Sequence, residues 1–147
     1  MKQYLDTSIV VKWYKKDEQY REEALILKQL MTCGSTTFYM SKYGLLELVR
    51  ALKKAKFPDH LIKESYSSIY EFYLIGILKN VSLEDSIHIA KEAQIELNLY
   101  ASDALHLASA IISDCEIIWT VDKHFIKCRD NDFILKRKIQ IRTLKDL

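Results

Sequence analysis

The sequence predicts a three-layer α/β/α fold in which a central, mainly parallel β-sheet is flanked by helices. Short apolar runs rich in β-branched and aromatic residues alternate with longer stretches of helical periodicity. Strands separated by helices need crossover connections, which place neighbouring strands parallel. The clearest apolar runs lack regular alternation with polar residues, as expected when both faces of the sheet are covered.

The predicted elements follow one another along the whole chain. Strands are predicted, with weaker patterning in the last, at Lys2–Asp6, Thr36–Met40, Glu116–Asp122 and Ile139–Thr143. Helices are predicted at Glu18–Thr32, Lys42–Lys56, Asp59–Lys79, Glu84–Leu97 and Asp103–Ser113. Gly34 and Pro58 stand just beyond the first two helices, where helices commonly stop. Ser82 and Ser102 are expected to cap the last two.

The long third helix carries a stripe of tyrosine and isoleucine at helical spacing. The stripe consists of Ile62, Tyr66, Ile69, Tyr70, Tyr73 and Ile77. Such stripes belong to the core more often than to a dimer face, so we expect most of these side chains to be core.

Composition favours one domain spanning residues 1–147. The chain is 49% hydrophobic and contains one proline, three glycines and no Ser/Gly-rich linker. Its net charge of +2 is too small to indicate a nucleic-acid partner. From Val121 onward the sequence contains eight basic and four acidic residues. A solvated surface is a more common role for such a tail than a track for phosphates.

The cysteines and the apolar runs favour a cytoplasmic protein that does not contact a membrane. Cys33, Cys115 and Cys128 are odd in number and form no C-x-x-C pair. They therefore indicate neither a disulfide framework nor a structural zinc site. No segment resembles a signal peptide or a membrane span of about 20 apolar residues.

Four carboxylates are expected to meet at one edge of the sheet. Asp6 and Asp122 each close a predicted strand, and the carboxyl ends of parallel strands form the ligand-binding edge of such sheets. Glu47 falls in the second turn of its predicted helix and Asp103 in the first turn of another. Because these helices begin at the same edge, four acids from four elements could converge there.

Each acid also has an ordinary interpretation. Glu47 lies opposite the apolar stripe of its helix and could pair with Arg50 at the surface. Asp103 shares the less apolar flank of its helix with His106 and could simply favour the helix dipole. Asp6 and Asp122 could simply end their strands.

As a set, however, the acids need a cation. Carboxylates about 4 Å apart repel by roughly 4 kcal/mol per pair at an effective dielectric of 20. Oxygen-only ligands select hard ions such as Mg²⁺ or Mn²⁺, which at acidic sites commonly serve phosphate chemistry. Such an ion lowers the pKa of a bound water and neutralises the charge that develops on phosphoryl oxygens.

Four segments together resemble the successive motifs of PIN-domain nucleases, most closely the VapC-type toxins of toxin–antitoxin pairs. They are Tyr4–Ser8, Leu45–Leu48, Ser102–Ala108 and Thr120–Phe125. The resemblance spans nearly the whole chain and implies a PIN fold and a Mg²⁺- or Mn²⁺-dependent endoribonuclease. The implied metal ligands, which are also the implied catalytic residues, are Asp6, Glu47, Asp103 and Asp122.

The resemblance implies further roles and partners. Thr7 and Thr120 would support the site by orienting water or neighbouring carboxylates. His106 fits the third motif, where we interpret it as structural. Many relatives carry an acid where this chain has His124, so a second metal site is in question. An RNA substrate, a homodimer and an antitoxin that covers the acidic site are also implied.

Other functions remain open at this point. A PIN-like domain could bind RNA or a protein without turnover, or could be a nuclease of RNA processing rather than a toxin. Two other classes fit poorly. A haloacid-dehalogenase-like phosphatase needs a second aspartate where Ser8 stands, and a phosphoreceiver domain needs adjacent acids after the first strand.

Overall fold

The computed structural model describes residues 1–147 and contains one five-stranded sheet. All strand pairs are parallel, in the order β3-β2-β1-β4-β5. The strands are β1 Lys2–Leu5, β2 Thr37–Tyr39, β3 Leu78–Lys79, β4 Ile117–Trp119 and β5 Gln140–Arg142. The helices are α1 Thr7–Tyr14, α2 Arg21–Thr32, α3 Tyr43–Lys54, α4 Asp59–Leu74, α5 Leu83–Leu97, α6 Ala101–Ile112, α7 Lys123–Ile126 and α8 Asp132–Leu135, followed by a 3₁₀ turn at Leu144–Asp146.

A hydrophobic core covers each face of the sheet. Leu5 of β1 belongs to the core built with α1 to α4, while its neighbour Tyr4 belongs to the core built with α5 to α8. Successive strand residues point to opposite faces, so these short strands supply side chains to both layers. This arrangement confirms the predicted α/β/α class.

The central pair β1 and β4 marks the point where the order of the strands reverses. The chain adds β2 and then β3 on one side of β1, and crosses back to place β4 and β5 on the other. Ligands of open α/β sheets bind at such a switch point, beyond the carboxyl ends of the strands. Asp6 and Asp122 follow β1 and β4 there.

Several element boundaries differ from the prediction. The helix predicted at Asp59–Lys79 ends at Leu74, because Gly76 has a φ of 81° and Ile77 N–H turns back to the carbonyl of Phe72. The unpredicted β3 follows. Of the predicted stripe, Ile62 and Ile69 are buried, and the tyrosines and Ile77 pack partly buried against the same core.

The two predicted serine caps had different outcomes. Ser82 caps α5 as predicted, since its Oγ accepts a hydrogen bond from the backbone N–H of Asp85 at 3.4 Å. The prediction for Ser102 was wrong: α6 begins at Ala101 and Tyr100 is its cap residue. Asn98, in the left-handed conformation, ends α5 after Leu97 as predicted, and α6 starts two residues before the predicted position.

All three cysteines are free thiols. None of the helices combines the length and the apolar character needed to cross a bilayer.

Candidate metal centre

Asp6 is anchored through one carboxylate oxygen at the end of β1. The residue is 4% exposed, and its Oδ2 accepts hydrogen bonds from Ser8 Oγ at 2.6 Å and Thr120 Oγ1 at 2.8 Å. The other oxygen, Oδ1, accepts no hydrogen bond and lies 3.9 Å from Nε2 of His106. One oxygen is therefore fixed and the other is available to a ligand.

Asp122 follows β4 and is joined to Asp6 through Thr120. The backbone N–H of Asp122 donates to Thr120 Oγ1 at 3.0 Å, and the same hydroxyl donates to Asp6. Oδ1 of Asp122 accepts from the backbone N–H of His124 at 2.8 Å and so begins α7. The side chain of His124 is exposed.

The helical pattern placed Glu47 at the outer surface of α3, but in the structure it does not lie there. Its side chain is 27% exposed, and Oε1 accepts hydrogen bonds from Thr7 Oγ1 at 2.9 Å and from Nε2 of His106. No ion pair with Arg50 forms. The helical pattern failed because α3 begins at the site, where its polar side meets α1 and α6 rather than water.

Gly44 permits this close approach of α3 to α1. A Cβ at this position would lie 2.8 Å from Thr7 Oγ1 and 3.0 Å from Met40 Sδ. Real Cβ atoms do not come that close to other heavy atoms, so any larger residue would displace the hydroxyl that holds Glu47.

Asp103 and His106 are buried, although the helical pattern placed them away from the buried stripe of α6. Asp103 is 6% exposed and His106 is completely buried. Every residue of α6 from Asp103 to Ala110 is buried, because the helix lies between the sheet, α5 and the carboxylate cluster. A helix covered on all sides loses the amphipathic pattern on which the expectation relied.

His106 and Glu47 form an ion pair whose members shift each other's pKa. Burial by itself lowers the pKa of His106, but the hydrogen bond to Glu47 and the charges of Asp6 and Asp103 outweigh burial and raise it. Burial by itself raises the pKa of Glu47, but His106 and Thr7 lower it below its usual value. The acids of the site therefore favour the protonated form of His106, whose charge compensates part of their negative charge.

Asp103 shows that the four acids share one electrostatic environment. Its pKa is raised to about 6, first by burial and then by the negative charges of Asp122 and Asp6, with Glu47 contributing less. Its side chain accepts no hydrogen bond. Such a carboxylate is unfavourable at neutral pH unless a cation approaches it.

The donor chemistry fits a hard divalent cation, although the geometry of a closed site is not present. No group of three or more His, Cys, Asp or Glu side chains is close enough to hold an ion as it stands. Glu47 turns toward His106, and Asp122 toward the start of α7. All four acids nevertheless keep a carboxylate oxygen without a hydrogen bond, and oxygen donors of this kind suit Mg²⁺ or Mn²⁺. Their role as metal ligands stays a prediction.

Two further residues of the site were given no role in the sequence analysis. Ser8 donates to Asp6 and accepts the backbone N–H of Val121 at 3.1 Å. Tyr4 contacts His106, and its hydroxyl accepts the backbone N–H of Ser41. Ser8 could have been found because it directly follows the Asp-Thr pair, but nothing in a strand residue such as Tyr4 signals a polar contact.

Comparison with known proteins identifies the family. The sequence-family model of the PIN domain matches residues 3–131. The chain belongs to the PIN domain family. This PIN domain also superposes on a chain in the crystal structure of VapBC2 from Rickettsia felis bound to a DNA fragment from their promoter. The TM-score is 0.64 and the sequence identity is 18%. The superposition covers 97% of the present chain and 98% of the Rickettsia felis chain. No curated protein matches the sequence. The likeness in fold agrees with the predicted PIN architecture.

Proposed function

We propose that this PIN domain is a Mg²⁺- or Mn²⁺-dependent endoribonuclease and the toxin of a type II toxin–antitoxin module. One observation carries the proposal: Asp6, Glu47, Asp103 and Asp122 come from four separate elements and meet at the switch point of the sheet. Thr120 joins Asp6 to Asp122, and His106, one turn after Asp103, lies against both Asp6 and Glu47. Membership of the PIN family supports a nuclease, and the fold of the VapBC2 structure supports the toxin assignment.

The residues of this chain would hold the ion and the attacking water in place. The free oxygens of the four acids would bind the ion, while Thr120, Ser8 and Thr7 fix the opposite oxygens of Asp6 and Glu47. When bound, a divalent ion supplies a Lewis acid that activates water and neutralises charge on the phosphate. Asp103, with its raised pKa, would be the acid whose ionisation depends most on that ion.

Cleavage of RNA by the purified protein tests this function. We expect cutting with Mg²⁺ or Mn²⁺, none in EDTA, and none with folded Asp103→Asn protein. The exposed Asp17→Asn variant serves as a control and should cut like the wild type. Equal activity in EDTA would rule out the mechanism, and sequencing the RNA ends would locate the cleavage site.

The competing function is RNA or protein binding without turnover. Binding of RNA but no cleavage in any divalent metal would favour it. The RNA assignment itself rests on the family, because attack by water does not require the 2′-hydroxyl of the substrate. Parallel assays with single-stranded DNA of the same sequence would decide between the two nucleic acids.

The proposed partners are a second copy of the chain and an antitoxin, in the cytoplasm. Exposed apolar side chains near the site suit a protein interface, among them Tyr43, Leu46, Leu83 and Ile87. Sedimentation of the purified chain would test the homodimer.

Co-expression with the product of the adjacent reading frame would test the antitoxin, which should restore growth and abolish RNA cleavage. Growth arrest that the product does not relieve would favour a PIN nuclease of RNA processing.

A further inference from the structure

A buried chain of hydrogen bonds reaches Glu47 from inside the protein. The hydroxyl of Tyr4 accepts the backbone N–H of Ser41 at 2.8 Å and lies 2.7 Å from Nδ1 of His106. The opposite ring nitrogen, Nε2, donates to Oε1 of Glu47. Tyr4 and His106 are both fully buried, so no water competes for these contacts.

These hydrogen bonds connect the elements that carry three of the four acids. Tyr4 stands two residues before Asp6 on β1, and Ser41 stands just before α3, which carries Glu47. His106 lies on α6, one turn after Asp103. A single imidazole therefore fixes β1, the start of α3 and α6 relative to one another at the edge of the sheet.

The hydrogen bonds also divide the roles of the two oxygens of Glu47. Oε1 accepts from both Thr7 and His106, whereas Oε2 accepts no hydrogen bond. A histidine with a purely structural role would be satisfied by partners within the core. Here Nε2 contacts Thr7 Oγ1 at 3.4 Å and also Glu47, an acid of the site whose side chain is 27% exposed.

We propose that His106 is a positioning residue, held by Tyr4, that anchors one oxygen of Glu47 so that the other is presented to the divalent ion. The inference rests on the proposed function, because it assigns how this chain prepares that metal site. Groups that orient metal ligands in this way typically contribute about 10- to 100-fold to metal affinity.

Calorimetric titration of the full chain with Mn²⁺ alone tests the role of His106 without any nuclease assay. We expect His106→Leu to raise the dissociation constant for Mn²⁺ by about 10- to 100-fold. His106→Gln, which keeps an N–H near the position of Nε2, should recover much of the affinity. Tyr4→Phe, which removes only the hydroxyl, should give a smaller loss and provides a milder variant if His106→Leu does not fold.

Leu107→Ala is the matched control for a merely structural effect. Leu107 neighbours His106 on α6, is fully buried, and its side chain belongs to the apolar core on that side of the sheet. The Leu107→Ala variant should have a lower melting temperature than the wild type and an unchanged affinity for Mn²⁺. His106→Leu and Tyr4→Phe proteins that bind Mn²⁺ as tightly as the wild type, or more tightly, would overturn the inference alone. A wild type that binds no divalent ion would overturn the proposed function and this inference with it.

Discussion

Oγ1 of Thr120 donates a 2.8 Å hydrogen bond to Oδ2 of Asp6 and so joins the ends of the two central strands. The same hydroxyl accepts the backbone N–H of Asp122 at 3.0 Å. One side chain thus sets the positions of two proposed metal ligands from neighbouring strands. Its role can be tested separately from that of the acids.

Thr120→Val should destabilise the protein by about 1 to 3 kcal/mol, because the isosteric methyl leaves the partly buried N–H of Asp122 without its protein partner. It should also weaken stabilisation by Mn²⁺, since Asp6 loses one of its two hydrogen bonds. Urea unfolding with and without Mn²⁺ measures both effects. Thr120→Ser keeps the hydroxyl and should retain the stabilisation by Mn²⁺. If Thr120→Ser lost as much of this stabilisation as Thr120→Val, the prediction would be contradicted.

Mn²⁺ or Mg²⁺ should raise the melting temperature of the wild type, and Asp6→Asn should remove most of that rise. An ion that binds only the folded state adds about 2.7 kcal/mol at a hundredfold excess over its dissociation constant. An Asn carbonyl can still accept from Ser8 and Thr120, so the variant should fold. Asp17→Asn, at an exposed position, should respond like the wild type. An unchanged response in Asp6→Asn would place the ion elsewhere.

In EDTA, Asp103 should make the protein less stable as the pH rises from 4 to 7. Its pKa of about 6 in the folded state exceeds the value of about 3.9 of an unfolded chain, so between these values the folded state holds a proton that the unfolded state has lost. The stability that this proton provides is present at low pH and is lost as the pH passes 6.

Asp103→Asn should remove this contribution. The free energy of unfolding of the variant should exceed that of the wild type by about 1 to 2 kcal/mol more at pH 7 than at pH 4, after allowance for screening by solvent. Taking the difference between the two proteins cancels the titration of groups that both share. A difference that stays constant with pH would show that Asp103 titrates normally.

Gly44→Ala should lower stability by about 1 kcal/mol even though alanine is the better helix former. The gain in helix propensity is roughly 0.5 to 1 kcal/mol, whereas overpacking costs about 1 to 3 kcal/mol. The new Cβ would lie 2.8 Å from Thr7 Oγ1. The penalty should therefore shrink in a Thr7→Ala background. Equal penalties in both backgrounds, measured by urea unfolding, would place the strain elsewhere.

The strands and the ends of strands were predictable because they depend on local composition. Four apolar runs contain four of the five strands, and Asp6 and Asp122 follow β1 and β4 as expected. The two-residue β3 was missed, since its short run continues the pattern of the preceding helix. The helix α1 was also missed, because Ile9–Val11 reads as a β-branched run while tertiary packing makes it helical.

The position of the helical site residues was harder to predict, for one physical reason. A helical wheel separates a core side from a water side, but α6 has no water side along most of its length. Burial of His106 and the turn of Glu47 toward it depend on α3, α6 and β1 meeting at one place. Contacts between residues 59 positions apart, such as this pair, are not encoded in either segment by itself.

The pairing of β1 with β4 also governs when the cluster of acids comes into existence. Asp6 and Thr120 are 114 positions apart, and no other strand lies between theirs in the sheet. A ribosome that adds about 5 to 20 residues per second needs roughly 6 to 23 seconds to pass from one to the other. The proposed metal site therefore cannot assemble on the nascent polypeptide until that late strand has emerged and docked.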